Sequence, residues 1–295
     1  MTRPRGISVT AAGAESIRET RELLRSLAKH HPELPVVVHT DQDVESGFPA
    51  EIVRIPESRR GARNYNKIIA WLETPFERTL ALDSDTWVAG KLDELFEVLD
   101  HYDYACKLAG ERDSYRYFER PGSVNSAPAP DIFPERNMGV VAFRRSPVMM
   151  DRIEAWRANY AESFAQRNGH PIEQATTADR QRDQPPFRRA IYRSEARELI
   201  IGDEWNTNLA QPTMIRTYSR ILHCHLRELE TGRLLPGCRT FEEAEREVNQ
   251  SHHFRVIWPE YGVYTIPPTW PRLVRLGGCI LRDGAQRVRR RILGR

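Results

Sequence analysis

The sequence lacks several features that would place the protein in a specialised class. It contains no run of 18 consecutive apolar residues, so hydropathy predicts no transmembrane helix. Its first residues include no apolar signal core, and we therefore do not expect secretion. Its four cysteines form no CxxC pair, which argues against a zinc site or a disulfide framework and fits a reducing compartment. These absences together predict a cytoplasmic protein.

The composition that remains is that of an ordinary globular domain, with 40% apolar and 29% charged residues in a chain of 295. The net charge of +3 is unevenly distributed, because residues 271–295 contain eight arginines and one acid and so carry +7. The other 270 residues therefore sum to −4, which argues against a nucleic-acid partner. We expect one catalytic domain over residues 1–270 and a separate basic tail over residues 271–295.

Strand and helix patterns alternate along the first half of the chain. Ser16 and Glu19 have the S-x-x-E spacing of a capping box, which predicts that the first helix begins there. The predicted strands lie at 6–12, 34–41, 79–83, 103–109, 136–143, 198–206 and 220–225, and the later helices at 64–73, 92–100, 147–165 and 185–193. This alternation predicts an α/β fold with a mostly parallel sheet flanked by helices. Ligands of such folds lie beyond the carboxyl ends of the strands.

The stretch FERTLALDSDTWVAG, residues 76–90, ends an apolar strand in two carboxylates. Asp83 and Asp85 are two residues apart, so in an extended chain they project to the same side. Two carboxylates that close repel each other, and a hard divalent cation such as Mn²⁺ or Mg²⁺ removes the repulsion. The alternative is a solvated junction between a strand and a turn, with no metal.

The segment KIIAWLETPFERTLALDSDTWV resembles the DxD region of GT-A glycosyltransferases, and it is most similar to family 8 and its relatives. The segments RNMGVVAF, RDQPPF, DEWN and ILHCH follow in the order of that family's later motifs, so the resemblance extends over residues 6–226. It implies a GT-A (Rossmann-like) fold with a decorated C-terminal half. It also implies a metal-dependent hexosyltransferase of polysaccharide or lipopolysaccharide biosynthesis, which moves a sugar from a nucleotide-diphosphate donor to a glycan or lipid-linked acceptor with retention.

The resemblance also assigns residues to roles. It implies that Asp83, Asp85 and His223 bind the metal, with His225 as the alternative to His223. The residues expected to contact the donor are Thr10, Ala11, Ala12, Arg63, Lys67, Asp83, Ser84 and Gly139. The residues expected to act on the donor sugar are Asn137, Asp183 and Gln184. The sequence leaves two alternatives open: Asp183 as a simple helix N-cap, and a solvated basic helix face formed by Arg63 and Lys67.

Two segments depart from the family pattern. The family often has an acidic residue and a tyrosine where this chain has AAGAES, and a glycine and a K-P-W phosphate clamp where it has HLRELE. Arginines would then have to contact the diphosphate. One alternative function is a degenerate GT-A domain that binds nucleotide or glycan without turnover. Another is a DxD phosphatase of the haloacid dehalogenase type, although such enzymes have Thr or Val where Trp87 stands.

Three further segments complete the sequence predictions. Residues 109–134 have little periodicity and much Pro, Gly and Ser, which indicates an acceptor loop. We interpret His252 and His253 as structural. The tail interleaves arginines with apolar residues and predicts a basic amphipathic helix on an anionic membrane surface. The protein would then be peripheral on the inner face of the membrane, and the alternative is a docked or disordered tail.

Overall fold

The computed structural model describes residues 3–45, 47–56, 59, 61–109, 129–130, 133–176, 178–179, 181–250 and 254–265. The strands in these ranges are β1 (Arg3–Ala11), β2 (Val36–Thr40), β3 (Glu51–Arg54), β4 (Phe76–Asp83), β5 (Thr86–Val88), β6 (Tyr104–Leu108), β7 (Arg136–Arg144), β8 (Glu198–Ile200), β9 (Thr207–Asn208), β10 (Thr213–Ile215), β11 (Ile221–His223), β12 (Arg255–Trp258) and β13 (Gly262–Thr265). The α-helices are α1 (Ala14–His30), α2 (Arg63–Leu72), α3 (Asp93–Glu97), α4 (Pro147–Asn168), α5 (Gln184–Ile191), α6 (Leu226–Glu230) and α7 (Phe241–Asn249).

A seven-stranded sheet with the order β3-β2-β1-β4-β7-β6-β8 forms the centre of the fold. Strands β3, β2, β1 and β4 are mutually parallel, and β8 is parallel to β6. Strand β7 runs antiparallel to both of its neighbours, β4 and β6. The expectation of an α/β fold with a mostly parallel sheet is therefore confirmed.

Because β7 runs antiparallel to β4, the amino end of β7 lies at the same edge of the sheet as the carboxyl end of β4. Leu82, at the carboxyl end of β4, pairs with Val140, near the amino end of β7. As a result, Asn137 and Gly139 lie beside Asp83 although they begin a strand. The sequence pattern of a buried apolar run does not distinguish parallel from antiparallel neighbours.

Alternating side chains of the central strands pack into two apolar layers, one on each face of the sheet. Leu80 and Leu82 of β4 pack with α1 in one layer. Ala81 packs in the other layer, which contains Trp71 of α2 and Trp156 of α4. Because every second residue of a strand points to the same face, β4 is buried on both sides and holds its carboxyl end in a fixed place.

The C-terminal half adds two three-stranded sheets, with the orders β5-β11-β9 and β10-β12-β13. Strand β5 immediately follows the two carboxylates and pairs antiparallel with β11, so that Thr86 lies opposite His223. This pairing brings the late histidine to the end of β4. Among the residues that the structure describes, no helix is long and apolar enough to cross a membrane.

Several predictions of local structure were wrong. The first helix begins at Ala14, after Gly13 at the N-cap position with no side-chain cap, so Ser16 lies inside the helix and forms no capping box with Glu19. The predicted strand over 198–206 is interrupted, because residues 203–205 form a 3-10 helix between β8 and β9. The elements that were not predicted are strands β3, β5, β9, β10, β12 and β13 and helices α6 and α7.

The helix start at Ser146 was predicted correctly, since its hydroxyl accepts a hydrogen bond from the backbone N–H of Met149. Most of the predicted acceptor loop, both histidines at 252 and 253, and the whole basic tail lie outside the described residues.

Candidate functional site

Three predicted metal ligands meet at the carboxyl end of β4. Ligand atoms of Asp83, Asp85 and His223 all lie within 4.8 Å of one another, and this is the group of potential metal ligands found in the described ranges. The Nε2 atom of His223 is 3.3 Å from Oδ1 of Asp85. Two carboxylates and an imidazole are suitable ligands for Mn²⁺, while Mg²⁺ prefers oxygen ligands alone. The ligand types at this site therefore fit a divalent cation.

The pKa values of the two carboxylates are shifted in opposite directions. Burial raises the pKa of Asp83 above its ordinary value, even though Lys67 lies beside it. Burial also disfavours the ionised form of Asp85, but His223 and His225 outweigh it and hold the pKa of Asp85 below its ordinary value. Close carboxylates commonly have pKa values that are split in this way, and a cation bound between them would favour ionisation of both.

Lys67 supplies a positive charge inside the site. Its Nζ atom lies 2.6 Å from Oδ1 of Asp83 and 2.9 Å from Oδ2 of Asp183, and it donates a hydrogen bond to the carbonyl of Met138. Burial lowers the pKa of Lys67, but Asp183 and Asp83 outweigh burial and raise it. The interpretation of Lys67 as part of a solvated basic face was wrong, because the side chain is buried. Its contact with a donor diphosphate stays a prediction.

Arg63 is exposed at the start of α2, and its guanidinium lies near Gly13, at the carboxyl end of β1. The predicted donor residues Thr10, Ala11 and Ala12 lie at this strand end, where the backbone N–H of Gly13 donates to Asp41 at 3.0 Å. The side chains of Ala11 and Ala12 are buried there. The donor contacts proposed for these residues stay predictions.

The imidazole of His223 rests directly against the backbone of β7. A Cβ atom built on Gly139 would lie 2.2 Å from Cε1 of His223 and 3.1 Å from Oδ2 of Asp83. Gly139 was expected to contact the donor, and the group that lies against it here is this imidazole, so its donor contact stays a prediction. Any larger residue at position 139 would occupy the space of the ring.

Two buried amides lie behind the imidazole. The Nδ1 atom of His223 is 3.0 Å from Oδ1 of Asn206, and Nδ2 of Asn206 donates to Oδ1 of Asn137 at 3.0 Å. Asn137 was predicted to act on the sugar. It lines the cavity, and its amide oxygen accepts hydrogen bonds from Asn206 and from the backbone N–H of Gly139. Asn206 belongs to the quoted DEWN segment, but sequence reasoning did not identify it.

His225 lies on the other side of Asp85. Its Nδ1 atom is 3.3 Å from Oδ2 of Asp85 and 3.2 Å from Oε1 of Glu19, which is buried on α1. The hydrogen bond to Glu19 is the main cause that raises the pKa of His225 to about 9. The hydroxyl of Ser84 also donates to Glu19, at 3.4 Å. Glu19 was missed because a local capping pattern matched it.

Asp183 and Gln184 lie at the start of α5 and line the same cavity as His223. Asp183 occupies the N-cap position, but its carboxylate makes no capping hydrogen bond and pairs with Lys67 instead. The simple capping role was therefore wrong. The guanidinium of Arg182 donates to Oε1 of Gln184 at 2.7 Å and to Glu135 at 3.0 Å. Arg182 was quoted within the RDQPPF segment, but no role was predicted for it.

A cavity of about 930 Å³ opens between these groups. Its lining combines the three potential metal ligands with Asn137, Gly139, Asp183 and Gln184, and it also includes Asn64, Met138, Arg167, Gln181, Arg182, Asn208, Ala210, Cys224, His225 and Glu228. The predicted metal and sugar residues thus face one polar cavity, which has the size range of a small-molecule site.

Neither a model of a known protein family nor a curated protein sequence matches this chain. Solved structures that are similar in fold include the bifunctional glycosyltransferase WbbM, at 12% identity and TM-score 0.48 over 72% of this chain and 41% of that one. They also include the galactosyltransferase LgtC, at 12% identity and TM-score 0.48 over 74% and 86% of the two chains. Mouse xyloside xylosyltransferase 1 is 14% identical, with a TM-score of 0.46 over 75% and 98%.

The chain thus spans less than half of the length of WbbM and most of the length of the other two proteins. The named structures are glycosyltransferases, and assignment of this chain to family 8 stays a prediction. Identities of 12–14% describe a likeness in the path of the chain, and the function has to be argued from the side chains of the site.

Proposed function

We propose that the protein is a metal-dependent glycosyltransferase that moves a sugar from a nucleotide-diphosphate donor to a glycan or lipid-linked acceptor, with retention. The observation that carries the proposal is the convergence of Asp83, Asp85 and His223 within 4.8 Å, beside a polar cavity of about 930 Å³. Burial and Asp85 both raise the pKa of Asp83 although Lys67 lies beside it, so holding both carboxylates ionised still has a cost. A metal that bridges the protein and an anionic substrate would remove that cost.

The three ligands would hold Mn²⁺ or Mg²⁺, which acts as a Lewis acid and neutralises negative charge that develops on a diphosphate leaving group. Lys67 would keep Asp83 in its metal-binding orientation by pairing with its other oxygen. Because Lys67 also pairs with Asp183, it connects the metal ligand to the residues expected under the donor sugar. The charged groups of the site would thus already be in position before the donor binds.

Asp183 and Gln184 would contact the sugar that is transferred. Arg182 donates to the amide oxygen of Gln184 and so limits the orientations of that side chain. Holding a reactant against fixed groups lowers the entropic part of the barrier. Asn137 also lines the cavity and would contact the same sugar through its amide nitrogen, because its oxygen already accepts two hydrogen bonds.

The proposal is tested by measuring the melting temperature with a panel of nucleotide-sugars, with and without Mn²⁺. A ligand that binds the native state raises the melting temperature, and we expect one donor to do so only together with the metal. Asp85→Asn should abolish this shift. Asp93→Asn, which removes a carboxylate paired with Arg5 at the surface, should leave it unchanged.

Transfer and donor hydrolysis assays on the same proteins separate the alternatives. Metal-dependent binding without any turnover would identify a degenerate binding domain. Release of phosphate from simple phosphate esters would favour a phosphatase. Full transfer activity in excess chelator would contradict the metal-dependent mechanism.

We also propose that residues 1–270 form one catalytic domain and that residues 271–295 bring it to an anionic membrane surface on the cytoplasmic side. The support is the sequence of the tail, whose eight arginines alternate with apolar residues. Basic residues near such a surface each contribute about 1 kcal/mol. The full chain should co-sediment with anionic but not neutral vesicles, more weakly in high salt, while a chain ending at Trp270 should not. Equal sedimentation of both chains would contradict this role of the tail.

A further inference from the structure

We propose that Asn206 is a positioning residue that fixes the tautomer of His223. In this arrangement the neutral imidazole carries its proton on Nδ1 and leaves Nε2 free to bind a metal. The inference rests on the proposed function in one respect, since it assumes that His223 is a ligand. The hydrogen-bond assignment itself follows from groups whose donor and acceptor roles are fixed by their chemistry.

The assignment begins at the backbone of β7. The backbone N–H of Gly139 points at the amide of Asn137, and the two heavy atoms are 2.9 Å apart. A backbone N–H can only donate, so the side-chain atom that faces it must be the amide oxygen. This contact therefore fixes the orientation of Asn137, which at ordinary resolution is a choice between two similar atoms.

The same oxygen of Asn137 fixes the orientation of Asn206. An amide atom of Asn206 lies 3.0 Å from that oxygen, and it must be the nitrogen because two oxygens cannot share a hydrogen bond. The oxygen of Asn206 is then the atom that lies 3.0 Å from Nδ1 of His223. Since an amide oxygen only accepts, Nδ1 must carry the proton.

The remaining nitrogen of His223 points at the metal cluster. Nε2 lies 3.3 Å from Oδ1 of Asp85, on the side of the ring opposite Asn206. A carboxylate oxygen only accepts, so Nε2 donates to Asp85 while the ring is charged; once the ring is neutral, the proton that remains on Nδ1 leaves a lone pair on Nε2. Three hydrogen bonds thus connect the backbone N–H of Gly139 to the imidazole of His223 through two amides. Each of them determines the orientation of the next side chain.

The amides are well placed to keep this arrangement. Asn206 is fully buried and Asn137 is 4% exposed, so water does not compete for their hydrogen bonds. The backbone carbonyl of Asn206 accepts a hydrogen bond from Lys107 at 3.2 Å. The residue that follows, Thr207, begins β9, which pairs with β11 and therefore with the strand of His223 itself.

A histidine ligand commonly donates its second N–H to an oxygen of the protein, and loss of that partner lowers metal affinity about 10- to 100-fold. We expect Asn206→Ala to weaken Mn²⁺ binding by this factor. Asn206→Asp keeps an oxygen acceptor for the Nδ1 proton but loses the N–H that donates to Asn137, so it should restore binding only in part, to within about tenfold of the original protein. The partial rescue separates orientation of the imidazole from a general loosening of the core.

The first experiment needs neither metal nor turnover. Nitrogen and carbon NMR of the full-length, metal-free protein with labelled histidine reports which ring nitrogen is protonated, with His223→Gln used to assign the signal. The spectra are recorded at alkaline pH, where the imidazole is neutral, because burial lowers the pKa of His223 but Asp85 outweighs burial and raises it. We expect the proton on Nδ1 in the original protein and a mixture of the two tautomers in Asn206→Ala. A neutral imidazole with its proton on Nε2 in the original protein would overturn the proposal, even if Asn206→Ala failed to fold.

The second experiment measures Mn²⁺ affinity by calorimetry for the same proteins. Ser219→Ala is the control, because Ser219 is fully buried and donates to Thr207 in the same strand region without contacting His223. The Mn²⁺ affinity of the Ser219→Ala protein should equal that of the original protein. An Asn206→Ala protein that binds Mn²⁺ within twofold of the original protein would also overturn the proposal. If the original protein bound no divalent metal, the proposed function would fail while the NMR result would still decide the tautomer.

Discussion

Replacement of Lys67 by methionine tests the electrostatics of the site most directly. The Lys67→Met change retains an unbranched side chain and removes the charge that lies 2.6 Å from Asp83 and 2.9 Å from Asp183. Removing one partner of a buried ion pair costs about 3–5 kcal/mol, because the other charge is left without compensation. The Asp83 side chain is 29% exposed, so we expect a loss near the lower limit, about 3 kcal/mol.

The assay is urea unfolding at neutral pH, with the free energy of unfolding obtained by linear extrapolation. Arg78→Met is the matched control, because it removes one partner of a pair with Asp100 in which both side chains are 40–51% exposed. Such surface pairs contribute up to about 1 kcal/mol. The Lys67 pair should therefore exceed the control by about 2 kcal/mol.

The pH dependence gives a second criterion. The pKa of Lys67 is higher in the folded protein than in the unfolded chain. The stabilisation that results is fully present below the pKa that Lys67 has in the unfolded chain, and it is lost as the pH rises through the pKa that Lys67 has in the folded protein. At neutral pH the contribution is thus complete. Lys67 lowers the pKa of Asp83 in the original protein, so that pKa should rise in the variant and acid should reduce the difference from the original protein. A loss equal to that of Arg78→Met, or one that does not change between about pH 7 and pH 4, would refute the reasoning.

Three further predictions concern individual residues. Gly139→Ala should weaken Mn²⁺ binding at least about tenfold by calorimetry, because a Cβ atom 2.2 Å from Cε1 of His223 would displace the ring; unchanged affinity would contradict this packing. Gln184→Ala should lower kcat more than it weakens nucleotide binding, since the contact is made to the reacting sugar, and a change in binding alone would count against that role. By NMR, His225 should titrate at about 9, and Glu19→Gln should lower that pKa. The raised pKa of His225 stabilises the fold below about pH 6.5 and this contribution is lost as the pH rises through about 9; an unshifted titration would remove Glu19 as its cause.

The parts of the fold and site that could be predicted depend on local patterns. The alternation of strands and helices is a property of neighbouring residues, and it led to the correct sheet edge. Asp83 and Asp85 could be paired because two residues of one strand end project together. His223 was placed with them by motif order, and the structure brings it there through the pairing of β5 with β11.

The parts that could not be predicted depend on partners far away in the chain. Glu19 matched a capping pattern with Ser16, but its partners are Ser84 and His225, and no local spacing reveals them. The helical spacing of Lys67 was compatible with an exposed face, and only the structure shows that Lys67 pairs with Asp183. The asparagine that orients the imidazole is likewise visible only once β9 and β11 are known to be neighbours.

The pairing of β5 with β11 also determines when the group of three potential metal ligands can form during synthesis of the chain. Domains are synthesised from the N-terminus, so the central strands and both carboxylates leave the ribosome well before residue 223. Until β11 emerges, β5 has no strand beside it and the carboxylates lack both histidines. The three ligands can therefore come together only after about three quarters of the chain has been made.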